Sequence, residues 1–393
     1  MVDDESLQGR IEDNIVISTF LSVAGFMRSF IFFILFTSFA LFAQNDDLFE
    51  FKKFIVLPVG AYSEETGIVL GAGAMVFIEP PAKDGSKAGS NNSSMIMASF
   101  KKQVTFINKF VYEPVNGHWN FVSHLYLRSW PTQYFDKGND WNKDVYDVYT
   151  SKNVRLPVAL GTDLLLPQSW QGKFNYGIEF DAEYITFDYD RSEKTELKNH
   201  KGLQNSGRLG IGYNLTYNSS EKNDWPRKGS FVQLRHIFFN AKNNSSREKE
   251  SFIWKNIDTR MYIPLPFLPE GVLALGSYLE DFDGDVPFDR LAQPDGVGQL
   301  RGLKKGFLAD KTFWVLQSEL RTHLFWRCKG AMFYEVAKVG NGFADLNSNR
   351  WHKAIGIGGR FLVNRESKTH IRGDLSLIDK KYLGMAIKIN EAF

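Results

Sequence analysis

Apolar and polar residues alternate with a period of two over long stretches of this chain. Phe174, Tyr176, Ile178, Phe180, Ala182 and Tyr184 share one parity, and Asn175, Gly177, Glu179, Asp181 and Glu183 share the other. Successive strand side chains point to opposite faces, so this segment reads as one long strand with an apolar and a polar face. Leu209, Ile211, Tyr213, Leu215 and Tyr217 repeat the pattern against Arg208, Gly210, Gly212, Asn214 and Thr216. Trp314, Leu316, Leu320 and Leu324 oppose Gln317, Glu319, Arg321 and His323, and the alternation continues through Ile355–Val363 and Ile371–Leu377. No stretch of comparable length carries helical spacing.

Two all-β architectures fit such a pattern, a soluble sandwich or propeller and a transmembrane barrel. Soluble strands average about five or six residues, whereas a strand of about ten residues crosses a bilayer at a tilt. Many of the alternating runs have the longer length. The polar parity also carries Glu179, Asp181, Glu183, Arg321 and Arg372, charges that suit a barrel lumen and that a dry sandwich core would hold only at high cost. The sequence therefore predicts an antiparallel transmembrane β-barrel. Turn residues delimit sixteen strands: 52–61, 67–78, 94–101, 103–113, 119–129, 152–166, 173–187, 207–217, 230–240, 251–263, 272–281, 312–325, 330–338, 353–363, 369–378 and 382–391. An even count places both chain ends on the periplasmic side, and the connections 130–151, 188–206, 241–250 and 282–311 then fall outside as long outer loops. The turn 223–229 falls inside, as does 79–93, which is long for a periplasmic connection.

Composition narrows the function classes. With 47 Lys plus Arg against 45 Asp plus Glu the formal charge is +2, so no basic excess points to nucleic acid. Mean hydropathy is −0.27, which excludes a bundle of membrane helices. Aromatic residues reach 15%, a β-rich profile, and the single Cys328 excludes a disulfide framework or a multi-thiolate zinc site. One apolar run, Phe30–Phe42, follows Arg28 and closes on Ala43. It reads as a secretory signal peptide over 27–43, an uncleaved anchor helix being the alternative. Residues 1–26 carry Asp3, Asp4, Glu5, Glu12 and Asp13, the wrong charge for a signal n-region, and read as a non-native extension or one wrongly assigned ahead of a true start at Met27. The barrel domain then occupies 44–393.

Catalytic and cofactor signatures are sparse. Gly71-Ala72-Gly73 and Gly356-Ile357-Gly358-Gly359 do not open a helix after a strand, so they offer no phosphate cradle. Glycine there lets a strand bend or another segment approach the wall. Asp281, Asp283 and Asp285 resemble the start of a calcium loop, but the twelfth position is Ala292 and Gly284 comes too early. The seven His are scattered, and neither His-Glu-x-x-His nor Gly-x-Ser-x-Gly occurs. No catalytic residue, metal or cofactor is expected.

The informative segment is Gly298-Gln299-Leu300-Arg301-Gly302-Leu303, inside an outer connection too long for a simple hairpin. Here the chain resembles the BamA/TamA outer-membrane protein family (bacterial surface antigen superfamily), whose sixth outer loop folds into the barrel and carries Val-Arg-Gly-Phe/Tyr. The motif reads Leu300-Arg301-Gly302-Leu303 in this sequence. Phe333-Tyr334-Glu335-Val336-Ala337 looks like the family's Phe-x-Asp-x-Gly strand, with Glu335 for Asp and Ala337 for Gly. Ile355–Arg360 and Ile371–Asp374 look like its penultimate strands, which places Arg360, Arg372 and Asp374 in the polar lumen. Pro58–Gly73 looks like the first hairpin of short members, and Phe393 resembles the terminal aromatic of the outer-membrane recognition signal.

What the resemblance implies is an outer-membrane barrel of a Gram-negative-type bacterium with an inward-folded outer loop, in which Arg301 pairs with Glu335. With the first strand at residue 52, the resemblance is to a short form without POTRA domains, so client capture through such domains is not expected. The implied function is non-enzymatic: insertion or translocation of proteins, or lipids, at the outer membrane through a weak seam between the first and last strands. Outer-membrane lipid, client outer-membrane proteins and periplasmic or lipoprotein subunits are the implied partners, with no nucleic acid. The alternative is a passive pore or a surface ligand-binding barrel.

Overall fold

Along residues 173–189 the polar parity is buried and the apolar parity is exposed. Glu179, Asp181 and Glu183 are shielded from solvent, while Tyr176, Ile178 and Phe180 face outward. Leu209 is 68% exposed and Ile357 60%. A soluble sheet does the reverse. Apolar side chains on the outside are favourable against hydrocarbon, and charges on the inside are tolerable only if the lumen pairs them.

The computed structural model describes residues 53–78, 90–114, 117–140, 145–164, 172–189, 197, 203, 205–221, 225–243, 249–364 and 369–389. The expected extension 1–26, the signal peptide 27–43, most of the connection 79–93 and Phe393 lie outside the described residues. Among those described, sixteen strands run in chain order: β1 (Lys53–Ser63), β2 (Gly67–Phe77), β3 (Asn91–Ser99), β4 (Val104–Tyr112), β5 (Trp119–Tyr134), β6 (Asp147–Leu164), β7 (Lys173–Tyr189), β8 (Ser206–Asn218), β9 (Gly229–Asn243), β10 (Lys249–Leu265), β11 (Gly271–Gly284), β12 (Thr312–Phe325), β13 (Cys328–Gly340), β14 (His352–Asn364), β15 (Thr369–Ile378) and β16 (Tyr382–Ile389). Each pairs antiparallel with its chain neighbour and β1 pairs with β16, closing the barrel.

All sixteen expected strands are present, and several run further than the alternation alone shows. β5 has 16 residues, β6 18, β7 17 and β10 17, more than the ~10 that cross a bilayer. In β5–β7 the added length lies at the outer end. There the inward positions turn apolar: Tyr134, Ile185 and Phe187 pack with Phe288 and Leu197 from the outer connections. The Tyr134 and Phe288 rings meet edge-on at 5.8 Å.

Between β1 and β16 the aligned pair among the described residues is Tyr62 with Ile387. In contrast, β1 and β2 stay in register from Lys53–Phe77 to Ser63–Gly67, and β15 and β16 from Ile371–Ile389 to Ile378–Tyr382.

Residues of the connections reach across both ends of the lumen. At the end that holds the start of β1, Trp225 from the β8–β9 turn is 1% exposed. Its ring lies 4.3 Å from Lys329 Nζ and 5.5 Å from the His370 ring. At the other end, the connection after β5 crosses the mouth. Gly138 N–H donates to Ala309 O at 2.8 Å, Val339 N–H donates to Asn139 Oδ1 at 2.9 Å, and His352 Nε2 lies 2.6 Å from Asn139 O. A short helix α1 (Phe343–Ser348), which the sequence pattern does not announce, sits between β13 and β14.

Candidate functional site

The connection from 285 to 311 enters the barrel because its own chemistry folds it into a compact finger. Asp295 Oδ1 accepts from the backbone N–H of Val297, Gly298 and Gln299 at 2.9, 2.6 and 2.8 Å. Gly302 N–H donates to Gly296 O at 2.8 Å, and Asp310 N–H to Ala292 O at 3.1 Å, so the two arms pair. Leu300 (φ 46°), Gly296 (φ 67°) and Gly302 (φ 84°) take left-handed backbone, which for leucine costs energy that surrounding contacts must offset. Leu300, Leu303, Phe307 and Leu308 supply those contacts, buried in one apolar cluster with Phe313, Val315 and Val339 of the wall and Phe135 just after β5. Lys304 lies within 6 Å of the Phe135, Tyr146 and Phe307 rings. Burial, followed by the charge of Lys101, holds its ammonium below the ordinary lysine range.

Arg301 projects from the tip of this finger and is 0% exposed. Its backbone N–H and its Nε both donate to Glu335, at 2.7 Å each. Its Nη1 donates to Glu319 Oε2 at 2.5 Å and lies 3.5 Å from Asp374 Oδ2. The guanidinium sits over the Phe333 ring, 3.4 Å from its centroid. Glu319 is shared further: Arg321 Nε donates to it at 2.7 Å and Arg360 Nη2 at 3.1 Å. Asp374 takes Arg360 Nη1 at 2.6 Å and Arg372 Nη1 at 2.7 Å, while Arg372 Nη2 donates to Val297 O of the loop at 2.6 Å. Four guanidiniums thus interleave with Glu319, Glu335 and Asp374. In a dry enclosure such charges are stable only when each is paired and hydrogen-bonded.

Small residues make room for this platform. Phe333 and Gly356 are directly opposed across β13 and β14, and a Cβ on Gly356 would run into the Phe333 ring. On the far side the loop backbone meets the last hairpin. Ser376 Oγ donates to Arg301 O at 2.5 Å. A Cβ on Gly302 would lie 2.8 Å from Gly384 Cα, and one on Gly384 would collide with the Gly302 carbonyl. Gly384 is the residue paired with Ser376 in β16. The Arg301-Gly302 step therefore rests on the strand that closes the barrel.

Of the lumen residues singled out from sequence, Leu300, Arg301, Gly302, Leu303, Arg321, Glu335, Arg360, Arg372 and Asp374 come together here, whereas Glu179, Asp181 and Glu183 lie on β7 and pair with other arginines. Glu319, Gln317, Ser376 and Gly384 were not singled out. Glu319 and Gln317 lie on the polar parity of β12, a signal visible in the sequence, yet parity gives a face and not a partner. Gln317 Nε2 donates to Gly298 O at 2.6 Å and to Glu335 Oε1 at 2.8 Å. Ser376 carried no signal beyond its parity. Asp281, the first of the spaced acids, lies on β11, where it accepts from Thr312 Oγ1 at 2.7 Å.

Fold and site together define a class: a sixteen-stranded transmembrane β-barrel whose lumen contains its own outer loop, with a buried, paired arginine at the loop's tip. The Omp85 superfamily domain matches residues 88–360, and the chain belongs to the Omp85 superfamily. Two solved barrels share the fold. BamA from Haemophilus ducreyi lacking POTRA domains 1–3 is 14% identical, with a TM-score of 0.53 over 86% of this chain and 69% of that one. CdiB from Acinetobacter baumannii is 11% identical, with a TM-score of 0.56 over 86% of this chain and 59% of that one. The chain thus spans less than two thirds of the CdiB structure. No curated protein matches it.

Proposed function

We propose that this chain assists the insertion or translocation of proteins, or lipids, at the outer membrane through a seam between β1 and β16. Omp85 membership supports this at the level of the family. The observation that carries the finer reading is the seating of Arg301-Gly302 against Ser376 and Gly384, beside a closure aligned through Tyr62 and Ile387. Opening that closure would expose unpaired N–H and C=O groups. In hydrocarbon such groups are costly and favour a partner strand. The buried loop braces β16 from inside, so the seam can part while the rest of the wall holds. Client outer-membrane proteins and lipoprotein or periplasmic subunits are the partners this reading requires.

Depletion in the native host, with quantification of the outer-membrane proteome, tests it. The expected result is a joint fall of many unrelated barrels. A constant proteome with altered lipid asymmetry or solute uptake would contradict protein insertion.

A further inference from the structure

The loop finger fills the lumen against β12–β16, and the opposite wall holds a separate cavity of about 350 Å³. Its lining includes Arg155, Arg235, Arg290, His124, Tyr126 and Trp254. Each guanidinium is backed by a carboxylate. Arg155 donates through Nε to Asp181 at 2.9 Å and also through Nη2. Arg235 donates to Glu179 through Nε at 2.9 Å and Nη2 at 2.5 Å, and Arg290 Nη2 bonds Glu183.

The decisive feature is an asymmetry of exposure. Arg155 and Arg235 side chains are each 29% exposed, whereas their partners Asp181 and Glu179 are 2% and 8% exposed. The carboxylates form a buried second layer that orients the arginines, and the guanidinium edges face the cavity. Among the described residues, neither Arg155 Nη1 nor Arg235 Nη1 has an acceptor. His124 lies in the same field, beside Lys109, Arg155 and Arg235. One carboxylate lines the cavity, Glu280, and it accepts from Trp254 Nε1 at 2.8 Å. Trp254 stacks under Arg235, whose guanidinium is 4.5 Å from the ring centroid. Tyr126, Phe239 and Phe282 complete the aromatic walls.

We propose that this cavity binds a small organic anion, a carboxylate or phosphate ester on a flat apolar body, with the acid on Arg155 and Arg235. Guanidinium forks match the planar or tetrahedral oxygens of such groups, and their preset orientation removes much of the entropy cost of binding. The volume lies in the range of small-molecule sites. Arg290, which comes from the inward loop, bounds the space, so the site suits a solute better than a passing polypeptide. None of this depends on the seam mechanism.

Calorimetric titration of the purified full-length barrel with phenyl phosphate, benzyl alcohol and inorganic phosphate is the test. Phenyl phosphate should bind saturably, about tenfold or more tighter than either other probe, and Arg235→Gln should lose about tenfold. Failure of phenyl phosphate to bind, or equal affinity for benzyl alcohol, would overturn the site. Equal affinity for inorganic phosphate would overturn the aromatic half of the recognition. Should Arg235→Gln not fold, the three-probe comparison on the unmodified protein still decides the matter.

Discussion

Arg301 spends its backbone N–H and its Nε on one carboxylate and its Nη1 on another, all without solvent. Removing it leaves Glu335 and Glu319 short of donors in a dry enclosure, and breaking a buried pair from one side costs about 3–5 kcal/mol. Arg301→Ala should lower the urea midpoint of the purified barrel accordingly and open residues 285–311 to protease. An unchanged midpoint and digest would show that the pair does not hold the loop. Arg301→Lys keeps the charge but loses the fork, so it should fall between the two. Glu319→Gln removes the acid shared by Arg301, Arg321 and Arg360. The same unfolding titration should place it at least as low as Glu335→Gln.

At the scale of elements, the contact between the loop and the last hairpin depends on absent side chains. Gly384→Val adds three carbons where the Gly302 backbone already lies, and overpacking of this kind costs about 1–3 kcal/mol. It should push the finger off β16 and speed cleavage within 285–311, with β12–β15 still protected; protease mapping reads both. The Trp225 turn is a second such element. Trp225→Ala should destabilise the barrel by about 3–5 kcal/mol, read as a lower melting temperature.

Much of this was legible in the sequence, for a physical reason. A period of two fixes which residues share a face, so the strands of the barrel and the lumen positions Arg360, Arg372 and Asp374 could be read directly. The inward loop was legible through its length and the Leu300-Arg301-Gly302-Leu303 motif. What could not be read is contact across the lumen. Parity put Glu319 and Gln317 inside without showing that Arg301 would reach them. Likewise, Asn139 gave no sign of crossing the outer mouth to Val339 and His352. The outer lengthening of β5–β7 also escaped notice, because inward apolar residues there break the simple polar-in rule.

For the whole molecule, a lumen occupied along β12–β16 by its own loop, with residues reaching across both mouths, should pass little steady current in planar bilayers. A large constant conductance would favour the passive-pore alternative. On the proposed mechanism the β1–β16 closure must part for function. Tyr62→Cys with Ile387→Cys, in a Cys328→Ser background, places one cysteine on each side of the aligned pair. As the sole copy in the native host, this variant should support normal folding of newly made outer-membrane barrels when reduced. On oxidation, pulse-labelled barrels should remain unfolded, and reductant should restore them. Undiminished assembly with the cross-link verified as complete would show that the closure need not part.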